Sequence, residues 1–305
     1  MLRFIINSVV QKVVDSIEFR NGKKGSITNV LLYFKKGIKD GIYCLDSTSI
    51  KKNQQNVPWN WQIFYREGYA FGLASVHALF FSRKNPDIRN NCNGFRIMHY
   101  TGYGFYKGIA DLFHIKRVSF AKKDWLNTED YDCFYPFLIG GESFAKTIYC
   151  KNWDKNFITY WKKDHPYSFY AETAWHGCGR CLWFNFYQDY NELTKALEIY
   201  KEATPHLALG LGAAITFTQI TNPQKIVADI KRFPLRLQKD LMKGAGIALA
   251  FAIEEDSAFS SEITPLYDGE LKLYWQISTQ AKNSIKRDEN WYENTMCYIL
   301  QNDNL

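Results

Sequence analysis

The chain has 305 residues, 46% apolar and 23% charged, the balance of a folded polypeptide with enough length to bury a large core. Its net charge of +7 is scattered over pairs such as Lys23–Lys24, Lys51–Lys52 and Lys162–Lys163, with no basic run of the kind that forms a nucleic-acid arm. No stretch approaches the ~18 continuous apolar residues of a membrane span, and seven cysteines at irregular spacing exclude a small disulfide scaffold, so a reducing, cytoplasmic location is expected.

The first 19 residues read as an amphipathic helix, in which Gln11, Lys12 and Asp15 break the apolar stretch a signal peptide requires. Asn21–Gly25 reads as a turn, and Ser26–Ile38 as a second helix with Leu31, Leu32 and Phe34 apolar. Lys39–Pro58 is polar and is expected to be a loop. The first 58 residues therefore form a short helical lead-in.

From residue 59 a repeat emerges in the glycines. A Gly-x-small motif occurs at Gly68/Ala70, Gly102/Gly104, Gly141/Ser143, Gly177/Gly179, Gly210/Gly212 and Gly244/Gly246, the first glycines being 34, 39, 36, 33 and 34 residues apart. A period of about 34 residues is that of helical-hairpin repeats. The clearest unit runs from Asp189 to Glu202, breaks at Thr204–Pro205 and continues as HLALGLGAAITFTQI. Asn222 then caps PQKIVADIKRF, Pro234 ends it, and LRLQKDLMKGAGIALAFAIEE follows. Each motif is thus placed inside the second helix of a pair. A glycine there costs about 1 kcal/mol against alanine, which close approach of two helices explains. Tyr267–Ile285 and Glu289–Leu300 are expected as closing helices, and Asn302–Leu305 as a frayed tail. The expectation is one all-α helical-repeat domain over residues 1–305, an α-solenoid or α/α toroid, with six glycine-marked repeats at 59–255 and closing helices at 256–305.

The repeat also predicts which side chains share a face. The residue before each first glycine and the one four later lie one turn apart. These pairs are Glu67/Phe71, Thr101/Phe105, Gly140/Phe144, His176/Arg180, Leu209/Ala213 and Lys243/Ile247. They predict a surface that is aromatic in the N-terminal half and carries Glu67, His176, Arg180 and Lys243. Aromatic residues make up 17% of the chain, and rings often line apolar ligand cavities, although an AT-rich coding bias produces the same excess. Glu67 reads either as a general acid or base or as a member of a buried ion pair that fixes helix register.

Cys178 and Cys181 form a C-x-x-C, but a redox pair opens a helix after a strand and a structural zinc site needs a second pair. Neither condition holds, so both are read as small packing residues. Gly102-x-Gly104-x-x-x-Gly108 departs from dinucleotide-binding spacing and has no preceding strand. The six histidines form neither H-x-x-x-H nor H-E-x-x-H, and the sequence names no cofactor.

The order FYREGYAFGLA, FRIMHYTGYGF, GGESFAK, HGCGRCLWF, TPHLALGLGAAITF, LMKGAGIALAFAIE, spanning about Trp59 to Glu255, resembles domain-of-unknown-function family 1702, which is associated with enediyne natural-product gene clusters. Arg180–Phe184, matching an R-x-L-W-F piece, is the most specific part. By position, Glu67, His99 and Arg180 match polar residues of the family's boxes, and His176 stands where the family has Gln. Gly140 stands where the family has Asp, with Glu142 nearby, and Cys178 and Cys181 stand where it usually has Val and Ser or Ala. The resemblance implies an accessory protein to a polyketide synthase, binding or processing a linear polyene, with Glu67, His99, His176 and Arg180 in or near the cavity. Whether such a protein is an enzyme stays open. The residues alone also allow a helical scaffold for a partner protein, or a metal- or haem-dependent oxidoreductase using His99 or His176.

Overall fold

A computed structural model describes residues 2–16, 25–43, 47–80, 96–113, 131–149, 168–255, 261–286 and 290–301, and among these every regular element is helical. The chain divides into two compact units, one comprising Met1–Glu18 and Gly25–Tyr149, the other Phe19–Lys24 and Cys150–Leu305.

In the first unit the helices are α1 (Leu2–Asp15), α2 (Ser26–Tyr43), α3 (Ser47–Gln55), α4 (Gln62–Phe80), α5 (Arg96–Leu112) and α6 (Tyr131–Tyr149). Four of them pack in succession, α2 on α4, α4 on α5 and α5 on α6. The region expected as a loop is instead the end of α2 followed by α3. Ile50 and Gln54 are the buried positions of α3, one turn apart, and Val57 is buried just beyond its end; with one apolar residue among them inside the helix, its polar sequence hides the element. Asn21–Lys24 of the expected turn lie outside the described residues, while Gly25 adopts a positive φ of 53° just before α2.

In the second unit the helices are α7 (Ser168–Asn185), α8 (Tyr190–Glu198), α9 (Thr204–Thr218), α10 (Pro223–Ile230), α11 (Leu235–Glu255), α12 (Glu270–Ser284) and α13 (Trp291–Leu300). The long ones again pack in succession, α7 on α9, α9 on α11 and α11 on α12, with α8 and α10 as the short first helices of their pairs. Asp189 caps α8 by accepting from Glu192 N at 3.2 Å, and Asn222 caps α10 by accepting from Lys225 N at 3.0 Å. Pro205 and Pro223 sit in first turns, where a missing N–H costs nothing. Asp229 ties α10 to its neighbours, accepting from Tyr190 Oη at 2.7 Å and Gln219 Nε2 at 2.8 Å. The tail after Gln301 lies outside the described residues.

The glycines explain the succession. In both units the first glycine of a motif rests on the carbonyl of the residue just before the motif of the preceding long helix. Gly102 meets the Glu67 oxygen, Gly141 that of Thr101, Gly210 that of His176 and Gly244 that of Leu209. The second small residue rests on the carbonyl three residues before the next motif: Gly104 on Leu138, Gly179 on Leu207, Gly212 on Leu241. In each case a methyl group would overlap the oxygen, so the glycine hydrogen in that direction points at it instead, a weak Cα–H···O contact. α2 belongs to the same series. Gly37 rests on the Tyr65 carbonyl, and Gly68 returns the contact on Phe34. Buried hydroxyls in these helices bond back to carbonyls one turn earlier, as Thr101 does to Ile97 at 2.9 Å and Thr216 to Gly212 at 2.9 Å, so they enter the core satisfied.

Candidate functional site

In the first unit the residues one turn beyond the motifs form the expected aromatic face. Phe71 and Phe105 meet edge-on at 5.5 Å, Phe105 and Phe144 at 5.4 Å, and Phe34 adds contacts of 5.9 Å to Phe71 and 5.2 Å to Phe105. Phe71 is 1% and Phe105 4% exposed. The rings fill this face with one another, each edge-on pair adding about 0.5–1.5 kcal/mol beyond its buried area. Glu67 is half-buried on α4 and its carbonyl seats Gly102. His99 is fully buried on α5, with its ring edge-on to Tyr69 at 5.7 Å.

This unit also holds a charge cluster that sequence reasoning missed. Lys107 and Asp111 on α5 face Glu142 and Lys146 on α6. Glu142 lies 2.5 Å from Lys107 and 2.5 Å from Lys146, and Asp111 lies 3.4 Å from Lys107 and 3.3 Å from Lys146. The charges alternate and sum to zero. Burial alone would raise the Glu142 carboxyl, but the two ammonium groups outweigh it and hold it below the usual carboxylate range. Lys107 loses solvation in the same way, yet Glu142 and Asp111 leave its ammonium favoured. The available signal was phase: Lys107 and Lys146 both stand five residues after the first glycine of their motifs, and each has an acid one turn away on its own helix.

The second unit contains His176 and Arg180, one turn apart on α7, and His176, but not Arg180, lines a cavity of about 100 Å³. Glu172, Thr173 and His176 contribute from α7, and His206 and Leu209 from α9. α13 closes it with Tyr292, Glu293, Met296, Cys297 and Leu300. Two anchors set this geometry. The His176 carbonyl is the seat of Gly210, and Lys243 on α11 donates to the carbonyl of Leu300. The register of the array therefore positions both α7 and α13 at the cavity.

His176 is 8% exposed, and among the described residues its Nε2 has no hydrogen-bond partner. Burial, aided by the charges of Arg180 and His206, pushes its pKa down to about 3. The ring is therefore neutral at pH 7. Burial raises the Tyr292 hydroxyl to about 12, partly opposed by Arg180 and by a hydrogen bond with Thr173. The Cys297 thiol is pushed up by partial burial and by Glu293 and Glu172, so it stays protonated and is a poor nucleophile. Glu172 sits at the rim, 4.0 Å from His206. Cys178 and Cys181 are buried within α7, and among the described residues no group of three His, Cys, Asp or Glu side chains is placed to hold a metal ion.

Of the four predicted site residues, the second unit brings His176 and Arg180 together, while Glu67 and His99 belong to the first unit. Sequence reasoning did not find the contribution of α13, because its place in the cavity lining follows from its packing on α11 and α12, which no local sequence signal records. Searches against family models, curated proteins and solved structures find no match.

A titration tests the state of His176. Its ring protons are expected to show no protonation shift by NMR between pH 8 and pH 4. The unfolded chain takes up a proton near pH 6.5 and the folded chain does not. Stability is thus expected to fall as pH drops through the window from about 6.5 towards about 3. A His176 resonance titrating near pH 6.5 in the folded protein overturns this assignment.

Proposed function

We propose that the chain is a small-molecule-binding accessory protein of enediyne-type polyketide biosynthesis that holds a stretch of linear polyene in the cavity between α7, α9 and α13. The observation that supports this reading most is the combination of apolar walls from Leu209, Met296 and Leu300 with one buried, neutral imidazole. The same imidazole argues for holding rather than processing. A histidine with a pKa of about 3 is mismatched to proton transfer at pH 7. The resemblance of the glycine boxes to family 1702 supplies the polyene as the expected guest.

The test is co-expression with a polyene-forming synthase, followed by purification, an absorption spectrum and mass analysis of the extract. The expected result is a retained conjugated molecule with resolved near-ultraviolet or visible bands. A colourless, ligand-free protein with an unchanged product mixture overturns the reading. The scaffold alternative draws support from a different place. α1 buries Ile6 and Val14 but leaves Phe4 69% and Val9 54% exposed, and α2, which packs on α1, leaves Leu32 56% exposed. A synthase that co-purifies with the ligand-free chain, and no longer does so with Phe4→Ser/Val9→Ser, favours that alternative.

A further inference from the structure

We propose that α1 and the outer stripe of α2 form a docking face for an anionic lipid surface. This goes beyond the reading above and does not depend on the guest of the cavity. Five of the nine large apolar side chains exposed among the described residues lie on these two helices, Phe4, Ile5 and Val9 on α1 and Leu32 and Tyr43 on α2. The helices run antiparallel, side by side. Arg3 donates to the Tyr43 carbonyl at 3.4 Å, Gln11 to the Lys35 carbonyl at 3.2 Å, and Lys35 pairs with Asp15 at 2.7 Å. Ile5, Val9 and Lys12 follow one another at helical spacing down the exposed side of α1. Leu32, Lys36, Lys39 and Tyr43 do the same on α2, opposite the side whose Gly37 and Gly41 rest on α4.

Charge decides the partner. The two helices carry five cations and two acids, and both acids are engaged, Asp15 with Lys35 and Asp40 in accepting from Tyr65 Oη at 2.8 Å. Arg3, Lys12, Lys36 and Lys39 are left to set the sign of the face, interleaved with its apolar side chains. A folded protein partner suits this mixture poorly, because lysine is depleted where two proteins exclude water between them. A second copy suits it worse, since a two-fold contact sets the cations of one face against those of the other. A lipid surface accepts both components. Apolar side chains enter the acyl boundary, while lysine and arginine stems carry their charges outward to anionic headgroups. No helix among the described residues is long and apolar enough to cross a membrane, so the contact proposed is peripheral.

The experiment is sedimentation of the full-length chain with vesicles of phosphatidylcholine alone and of phosphatidylcholine containing about one third phosphatidylserine. Binding to the anionic vesicles is expected, with little to the neutral ones, and it is expected to fall as salt rises from about 0.05 M to about 0.5 M. Lys36→Gln/Lys39→Gln is expected to weaken anionic binding roughly 25-fold, each cation near the surface being worth about fivefold. Ile5→Ser/Val9→Ser is expected to weaken it at least tenfold by removing inserted apolar surface. The replaced side chains are at least partly exposed, so both variants are expected to keep the circular dichroism of the parent. Hydrogen exchange of α1 and α2 is expected to slow on the anionic vesicles. Equal binding to both vesicle types overturns the proposal, as does no binding, binding that either double variant leaves unchanged, or protection that appears outside α1 and α2 alone. Self-association lost in Ile5→Ser/Val9→Ser, without vesicle binding, overturns it in favour of a second copy. A synthase held through Phe4 and Val9, without vesicle binding, overturns it in favour of the scaffold. A chain that binds anionic vesicles yet retains no polyene keeps this inference and loses only the polyene as its guest.

Discussion

Gly210→Ala is expected to destabilise the protein by about 3 kcal/mol or more, although it adds one methyl group to a helix and raises helix propensity by about 1 kcal/mol. The methyl would overlap the His176 carbonyl oxygen, with the Arg180 nitrogen also within 3.0 Å. Both are backbone atoms, so no side chain can turn aside. α7 and α9 must separate, and every contact along their length loosens together. Gly246→Ala is the matched control. There the nearest obstacle is Tyr274 Cδ1 at 3.0 Å, a ring edge able to shift by a few tenths of an ångström. Its cost and its gain in propensity nearly cancel, so it is expected within about 1 kcal/mol of the parent. Denaturant unfolding followed by circular dichroism measures both. A Gly210→Ala protein as stable as the parent would remove the close-contact account of the repeat. The substitution also reaches the candidate site, because the displaced carbonyl belongs to His176.

That contact also shows why part of the fold was legible in the sequence. A backbone-to-backbone contact of this kind admits only glycine, and the motif that makes it recurs once per long helix. The chemistry therefore leaves a mark of fixed type at a spacing set by hairpin length. Asp189, Thr204–Pro205 and Asn222 were readable for a similar reason, since caps and first-turn prolines act within a few residues. α2 was recognised as a helix but not as a member of the series, because Lys35 occupies the position of the first glycine and only Gly37 marks the motif. α3 was missed because its two buried positions, Ile50 and Gln54, do not lift its polar average. The site divides the same way. His176 and Arg180 were found because they flank a motif. Tyr292, Met296 and Leu300 were not, because nothing local to α13 records that it closes a cavity against α7 and α9. Glu142 and its lysines were hidden for another reason. Acids and bases four residues apart are usually a solvated helix face, and only the pairing of two such faces makes a core.

Breaking that charge cluster is expected to have the other large effect. Glu142→Gln keeps the shape of the side chain but leaves two lysines of the quartet, Lys107 and Lys146, with one of its two acids, Asp111; Glu142 is 2% and Lys146 3% exposed in the parent. Removing one partner of a buried ion pair typically costs about 3–5 kcal/mol, mostly as the penalty on the charge left behind. Lys146→Met is expected to cost a similar amount with the opposite residual charge. The double variant restores neutrality, leaving Lys107 with Asp111. It is expected to be at least 1–2 kcal/mol more stable than the sum of the single losses predicts. Hydrogen exchange of α5 and α6 peptides measures this within the first unit, since protection there follows local opening. Additive losses would mean that the two charges do not act on each other. Acid gives a second readout. Because the Glu142 carboxyl is held below its usual range, its contribution is complete above the unfolded value near 4.3. It is lost as pH falls through the lower folded value. Lys107 is shifted upward, so its share is complete below about 10.4 and fades as pH rises through the higher folded value. Between these limits the quartet holds α5 against α6 at full strength. The Glu142→Gln variant is expected to lose the acid-dependent part of α5 and α6 protection that the parent shows below about pH 4.3.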